Sequence, residues 1–136
     1  MKAVIDTNVV LAGLANRKGA AFKILKRFVR RQFQWVTSQP ILDEYQRVLL
    51  ISQKVPSTRL QIFLHLLGKR SLFVQTPGNL QVCKDPDDDK FLETAVAGAA
   101  DFLVTKNLKH FPYKSFQGVR IVKVATFLKE MEKLFP

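Results

Sequence analysis

Acidic residues recur at positions where folding could bring them together. Asp6 follows a short apolar run at the start of the chain, and Glu44 lies among apolar residues with helical spacing. Asp88 and Asp89 belong to a dense acidic segment, since four of the eleven acidic residues fall in residues 85–89. Crowded carboxylates repel one another, and a divalent cation is the usual way to relieve that repulsion. These acids therefore predict a cation site.

Such a site could hydrolyse a phosphodiester bond. Oxygen ligands select Mg²⁺ or Mn²⁺ over zinc. Either cation can activate a water and neutralise charge on a phosphate, and two cations about 3.5–4 Å apart can clamp both oxygens of an in-line displacement. Asn107, which follows a strand-like run ending at Thr105, could add a neutral oxygen ligand. We therefore expect Mg²⁺ or Mn²⁺ as cofactor, with the candidate ligands Asp6, Glu44, Asp88, Asp89 and Asn107.

The chain as a whole carries the opposite charge. Its 136 residues include 22 Lys and Arg against 11 Asp and Glu, a formal net charge of +11. A strongly basic protein favours polyanionic partners through counterion release and electrostatic steering. We expect nucleic acid as the partner, and the basic helix near residues 23–31 could follow its backbone or could simply be a solvated face. The candidate substrate contacts are Asn8, Thr105, Lys23, Lys26, Arg27 and Arg30.

Alternating strands and helices must position these residues. Apolar runs predict five strands, at residues 2–5, 34–37, 72–75, 102–105 and 119–124. Helical spacing predicts helices at 19–31, from 38 through 49, from 56 to a closing Gly68, from 85 through 99, and at 126–135. This order predicts a three-layer α/β/α domain with a mostly parallel five-stranded sheet, formed by residues 1–136 as one unit. Ligands of such sheets bind beyond the carboxyl ends of the strands, where the candidate residues lie.

Spacing within the helices indicates where two of the acids point. Glu44 lies three residues after the apolar Ile41, so it borders the buried face. Asp88 and Asp89 both lie about one turn before Leu92, so spacing does not separate them, and we favour Asp88 slightly. The choice between the two neighbours stays open.

Each candidate also has a structural interpretation. Asp6 could cap a strand end, and Glu44 could pair with a nearby Lys or Arg. Acids at residues 85–89 would stabilise the positive end of a helix dipole, and Asn107 is a common turn residue. The joint placement of these groups favours a site over four separate structural roles.

Other reactive side chains show no comparable pattern. His65 and His110 have no partner at a characteristic spacing, so we interpret neither as a catalytic base. Cys83 is the one cysteine, which excludes an internal disulfide, and we expect a partly buried thiol. No apolar run approaches the ~20 residues that span a bilayer, and we expect a cytoplasmic location.

Three segments resemble the PIN-domain family, in particular the bacterial and archaeal members described as toxin components of toxin–antitoxin pairs. The segments are MKAVIDTNVVLAGL at 1–14, PILDEY at 40–45, and DPDDDKFLETAVAGAADFLVTKNLKHF at 85–111. The resemblance implies a Rossmann-like sheet with strand order 3-2-1-4-5 and Mg²⁺- or Mn²⁺-dependent endoribonuclease activity on single-stranded RNA. It also implies an antitoxin protein as partner and a homodimer.

The resemblance also assigns the acids. The first family acid corresponds to Asp6, the second to Glu44, and the third to Asp88 or Asp89. The fourth, in a Thr-x-Asp pattern, falls on Asn107, whose neutral oxygen predicts a lower metal affinity.

Two other functions are compatible with this element order. One is a catalytically weak or inactive module of the same fold that binds RNA or a protein, which the amide at Asn107 favours. The other is a phospho-acceptor receiver domain. That class needs an aspartate after the third strand, where this chain has Gln75, Thr76 and Pro77.

Overall fold

A central sheet of six strands organises the fold, which a computed structural model describes over residues 1–136. The sheet order is β3-β2-β1-β4-β6-β5, and every neighbouring pair is parallel except β5 and β6. This confirms the predicted α/β architecture and the order of the five predicted strands. The strands are β1 Lys2–Ile5, β2 Gln34–Thr37, β3 Leu72–Phe73, β4 Phe102–Val104, β5 Ser115–Phe116 and β6 Val119–Val122.

Six α-helices connect and cover the strands. They are α1 Thr7–Ala15, α2 Ala20–Val29, α3 Gln39–Ser52, α4 Ser57–Arg70, α5 Asp89–Ala97 and α6 Val124–Leu134. Short 3₁₀ turns at Pro86–Asp88 and Leu108–His110 precede α5 and follow β4. The predicted helix from Asp85 thus begins as a 3₁₀ turn, and the Asp85 carboxylate caps it by accepting the Asp87 N–H at 2.9 Å.

The structure corrects three details of the prediction. The sheet has a sixth strand, β5, joined to β6 by a two-residue turn in which Gln117 and Gly118 both have positive φ. Helix α1 was not predicted, because its apolar residues surround the helix instead of forming one face. Gly68 lies inside α4 on an exposed position and does not end that helix.

An aromatic cluster fills the space beside β2. Trp35 is fully buried, and its ring lies 5.1 Å from Phe28 and 5.4 Å from Phe63, centroid to centroid, in edge-on arrangements. Such contacts stabilise beyond the area they bury. The cluster fixes β2 against α2 and α4. No helix of the structure has the length and apolar character needed to cross a membrane.

Candidate active site

Asp6 lies at the carboxyl end of the central strand, where the chain turns into α1. Its backbone N–H donates to the Val104 carbonyl at 2.9 Å, which continues the pairing of β1 with β4. The Tyr45 hydroxyl donates to the Ile5 carbonyl and anchors the same strand end from α3. Thr105, fully buried after β4, donates its hydroxyl to Asp6 Oδ2 at 2.8 Å. The Asp6 carboxylate is therefore held in one orientation at the sheet edge.

Glu44 reaches the same edge from α3. Its Oε2 accepts a hydrogen bond from the Thr7 hydroxyl, and its Oε1 lies 2.8 Å from Lys90 Nζ. Both charged side chains of this pair are largely shielded, at 14% exposure for Glu44 and 19% for Lys90. The structure thus has Glu44 in the predicted inward position, and Lys90 of α5 forms a salt bridge with its carboxylate.

Asp88, one of the two candidates for the third acid, lies in the 3₁₀ turn before α5. Its Oδ2 lies 3.8 Å from His110 Nδ1. Burial raises the pKa of Asp88 to about 6, helped by the negative charges of Asp6 and Glu44 and opposed by His110. The influence of Asp6 and Glu44 indicates that all three acids share one edge of the sheet.

Asp89, which the sequence could not separate from Asp88, points elsewhere. It is 7% exposed, and its Oδ1 accepts the backbone N–H groups of Val82 and Cys83 at 3.0 and 2.8 Å. One turn later on α5, the Glu93 carboxylate likewise accepts backbone N–H groups, here from loop residues 78–80. Its two oxygens accept three backbone N–H groups at 2.7–3.0 Å. These two carboxylates hold the loop before α5.

Asn107 and His110 lie at the 3₁₀ turn that follows β4. Asn107 Oδ1 accepts the Lys109 N–H at 3.1 Å and caps the 3₁₀ turn, while its Nδ2 lies 3.0 Å from His110 Nε2. Since the amide Nδ2 can only donate, Nε2 accepts, and a neutral His110 carries its proton on Nδ1, towards Asp88. The sequence showed no partner pattern for His110, and the structure gives it two partners, Asp88 and Asn107. Its partners are contacts of the folded chain and leave no mark in local spacing.

Lys90 pairs with Glu44 at this edge, whereas burial makes the charged forms of Asp6 and Asp88 less favourable. Burial is the largest influence on Asp6 and raises its pKa, the Thr105 hydrogen bond opposes this, and the charge of Glu44 adds to it. As the side chains lie, no three acidic, His or Cys groups converge tightly enough to enclose a cation. Glu44 instead contacts Lys90. The donor set has the oxygen chemistry that Mg²⁺ and Mn²⁺ prefer, and both Glu44 oxygens are already engaged, one by Thr7 and one by Lys90.

The basic residues predicted to contact the substrate differ in how far their side chains are free. Lys23 and Lys26 on α2 are exposed, and so is Arg30, which directly follows that helix. Arg27 is tied into the fold, because its Nη1 donates to Gln32 Oε1 and to the Phe135 carbonyl, each at 3.0 Å. These side chains remain candidates by charge. A further candidate, Asn8, is exposed on α1.

Cys83 is not a nucleophile candidate. Burial raises the pKa of its thiol to about 12, and the neighbouring Asp89 adds to the effect. The thiol therefore stays protonated at physiological pH.

The fold and the edge define a class of protein, an α/β sheet with carboxylates gathered at the carboxyl ends of its parallel strands. Comparisons with known proteins agree. Residues 2–109 match the PIN domain family, and the chain belongs to that family. An uncharacterized protein of Methanocaldococcus jannaschii is 27% identical over 145 residues, covering 98% of this chain and 93% of that protein.

A solved structure shares the fold. The crystal structure of VapBC2 from Rickettsia felis, bound to a DNA fragment from their promoter, matches with a TM-score of 0.59 at 17% sequence identity. The match covers 90% of this chain and 98% of that one.

Proposed function

We propose that this protein is a divalent-cation-dependent endoribonuclease that cleaves single-stranded RNA. The observation that carries the proposal is the gathering of Asp6, Glu44 and Asp88 at one edge, with two of their pKa values raised, in a chain of net charge +11. Membership in the PIN domain family supports nuclease chemistry with a divalent cation. The basic surface would attract the polyanion, and the acidic edge formed by Asp6, Glu44 and Asp88 would hold the cation that promotes its cleavage.

Asp6, Glu44 and Asp88 would hold Mg²⁺ or Mn²⁺. Raised pKa values support this, because they mark carboxylates whose charge a cation would stabilise. A bound divalent cation lowers the pKa of water and neutralises charge on a phosphate. Asp89 and the amide of Asn107 are weaker candidates, since the carboxylate of one and the amide oxygen of the other already accept backbone N–H groups.

The surrounding side chains would position the acids. Thr105 fixes Asp6 through its hydroxyl, and Thr7 orients Glu44 in the same way. His110 faces Asp88 with the Nδ1 proton and is itself held by Asn107. Each acid thus enters the reaction in a defined orientation, which is how positioning lowers a barrier.

We further propose that the protein is the toxin of a toxin–antitoxin pair, with an antitoxin protein as partner and a homodimer as its assembly. The shared fold with VapBC2 supports the first part, and the family resemblance supports both. A second candidate function is an RNA-binding module without catalysis. It is favoured by Asn107 at the fourth family position and by the absence of three converging ligands.

The test is cleavage of a single-stranded RNA with and without Mn²⁺. We expect wild-type cleavage to require Mn²⁺ and to stop in EDTA, and Asp6→Asn to lose at least about 100-fold of the rate, since cation chemistry supplies several kcal/mol. Asp43→Asn, which changes an exposed acid next to Glu44, is the matched control and should keep full activity. Equal cleavage by Asp6→Asn, or full activity in EDTA, would contradict the enzyme. RNA binding without cleavage would favour the module.

A further inference from the structure

A groove borders the acidic edge, and the sequence did not single out its basic residues. It encloses about 790 Å³ between α1 and the start of α2 on one side and the segments after β4 and β6 on the other. Thr105, which holds Asp6, lies in its lining, together with Asn8. The groove is therefore continuous with the carboxylate edge.

The groove is electropositive and has no internal compensation. Lys54, Lys106 and Lys123 line it, and no acidic residue does. All three lysines are exposed, and none forms a salt bridge. Helices α2 and α6 begin in its lining without an acid in their first turn or a side-chain cap. The positive ends of both helix dipoles add to the lysine charges.

Between the lysines, the surface of the groove is apolar and is formed mainly by small side chains. We call the part contributed by Leu11, Ala12 and Ala15 the α1 wall. Helix α2 packs closely there, since a Cβ at Gly13 would lie 2.9 Å from Leu25 Cδ1 and 3.1 Å from the Ala21 carbonyl oxygen. Single-stranded nucleic acid offers regularly spaced phosphates and flat base faces, so it complements a basic groove with an apolar floor.

We infer that this groove binds the RNA segment adjacent to the scissile phosphodiester. Its lysines contact the phosphates, and the α1 wall contacts a base. The inference rests on the proposed function in taking the strand as substrate. Binding in the groove needs no cation, however, so it can be measured while cleavage is switched off.

The test is fluorescence anisotropy of a labelled single-stranded oligoribonucleotide in EDTA at several salt concentrations. The triple variant Lys54→Gln, Lys106→Gln, Lys123→Gln should bind at least about tenfold more weakly, and its log–log salt slope should fall by about 2, at about 0.7 per phosphate contact. The matched control removes the same charge outside the groove, with Lys69→Gln, Lys114→Gln and Lys129→Gln, three exposed lysines that are absent from its lining. It should change affinity by less than about threefold. Equal losses in both triples, or none in the groove triple, overturn the inference.

A variant without a charge change separates the groove from general electrostatics. Ala15→Trp narrows the groove at the end of α1 and should also weaken RNA binding, with thermal melting showing that the fold is kept. Unchanged binding by a folded Ala15→Trp counts against the groove. An acidic peptide that binds the wild type in EDTA while the RNA does not would assign the groove to a protein partner and overturn the RNA assignment.

These outcomes are distinct from failure of the proposed function. If the groove triple loses RNA binding but no RNA is cleaved with Mn²⁺, the nuclease proposal fails and the groove inference stands. If Asp6→Asn stops cleavage but the groove triple binds and cleaves like wild type, the reverse holds.

Discussion

Asp88 and Asp89 are neighbours with the same side chain, yet the structure gives them opposite surroundings. The Asp89 carboxylate accepts two backbone N–H groups and satisfies a loop. Asp88 Oδ2 lies 3.8 Å from His110 Nδ1, and the pKa of Asp88 is raised to about 6, chiefly by burial and further by the charges of Asp6, Asp85 and Glu44. The difference teaches that an acid is available for a cation when the fold leaves its charge unsatisfied.

Glu93, one turn further along α5, also holds the loop before that helix. With Asp89 it supplies acceptors for five backbone N–H groups of the loop before the helix. That loop contains little regular structure, so without these acceptors its N–H groups would lose their partners. One side of the start of α5 therefore holds a loop, and the other presents Asp88 to the acidic edge.

The largest expected effect separates the two aspartates by activity. Asp88→Asn should reduce Mn²⁺-dependent RNA cleavage about 100-fold or more, because it removes a carboxylate from the proposed cation site. Asp89→Asn should stay within about threefold of wild type, because the amide oxygen can still accept backbone N–H groups. Single-turnover rates check this. Similar losses in both variants would break the distinction.

The second effect is on stability. Glu93→Ala should lower the free energy of unfolding by about 2 kcal/mol, because it removes three charge-assisted hydrogen bonds made by a largely buried carboxylate. Glu132→Ala, an exposed acid on α6, should change it by less than about 0.5 kcal/mol. Urea unfolding measures both. A loss below about 1 kcal/mol for Glu93→Ala would show that the loop does not depend on this carboxylate.

The third effect concerns Lys90, whose ammonium lies 2.8 Å from Glu44 where a cation would compete for the same oxygen. Lys90→Met should tighten Mn²⁺ binding about tenfold, the factor that 1.4 kcal/mol gives. Lys84→Met, an exposed lysine of the preceding loop, should leave the affinity unchanged. Calorimetric titration measures both variants. Weaker binding by Lys90→Met would mean that the lysine positions Glu44 for the cation.

The fourth effect is a pH dependence of stability in EDTA. The pKa of Asp88 is about 6 in the folded protein and about 4 in an unfolded chain. Between these values the folded state binds more protons, so this group lowers stability as pH rises from about 4 to about 6. Asp88→Asn should therefore become progressively more stable relative to wild type across that window. A constant stability difference from pH 4 to pH 7 would contradict the raised pKa.

The sequence predicted what local patterns encode. The buried strand before Asp6 and the inward position of Glu44 follow from apolar spacing, and both are found in the structure. Helix α1 has no polar face and gave no periodic signal. Strand β5 has two residues, too few for a pattern.

The parts of the site that could not be predicted depend on tertiary contacts. Asp88 and Asp89 both lie about one turn before Leu92, and what first separates them is the pair of loop N–H groups that folding brings to Asp89. His110 reaches Asp88 through the 3₁₀ turn after β4. The groove lysines come from three separate segments, so no local charge pattern joined them.

The most direct test of the account is a calorimetric Mn²⁺ titration of wild type, Asp88→Asn and Asp89→Asn. We predict that wild type and Asp89→Asn bind Mn²⁺ with similar affinity, and that Asp88→Asn binds at least about tenfold more weakly, as expected for loss of a ligand. Undiminished binding by Asp88→Asn together with loss of binding by Asp89→Asn would contradict the account.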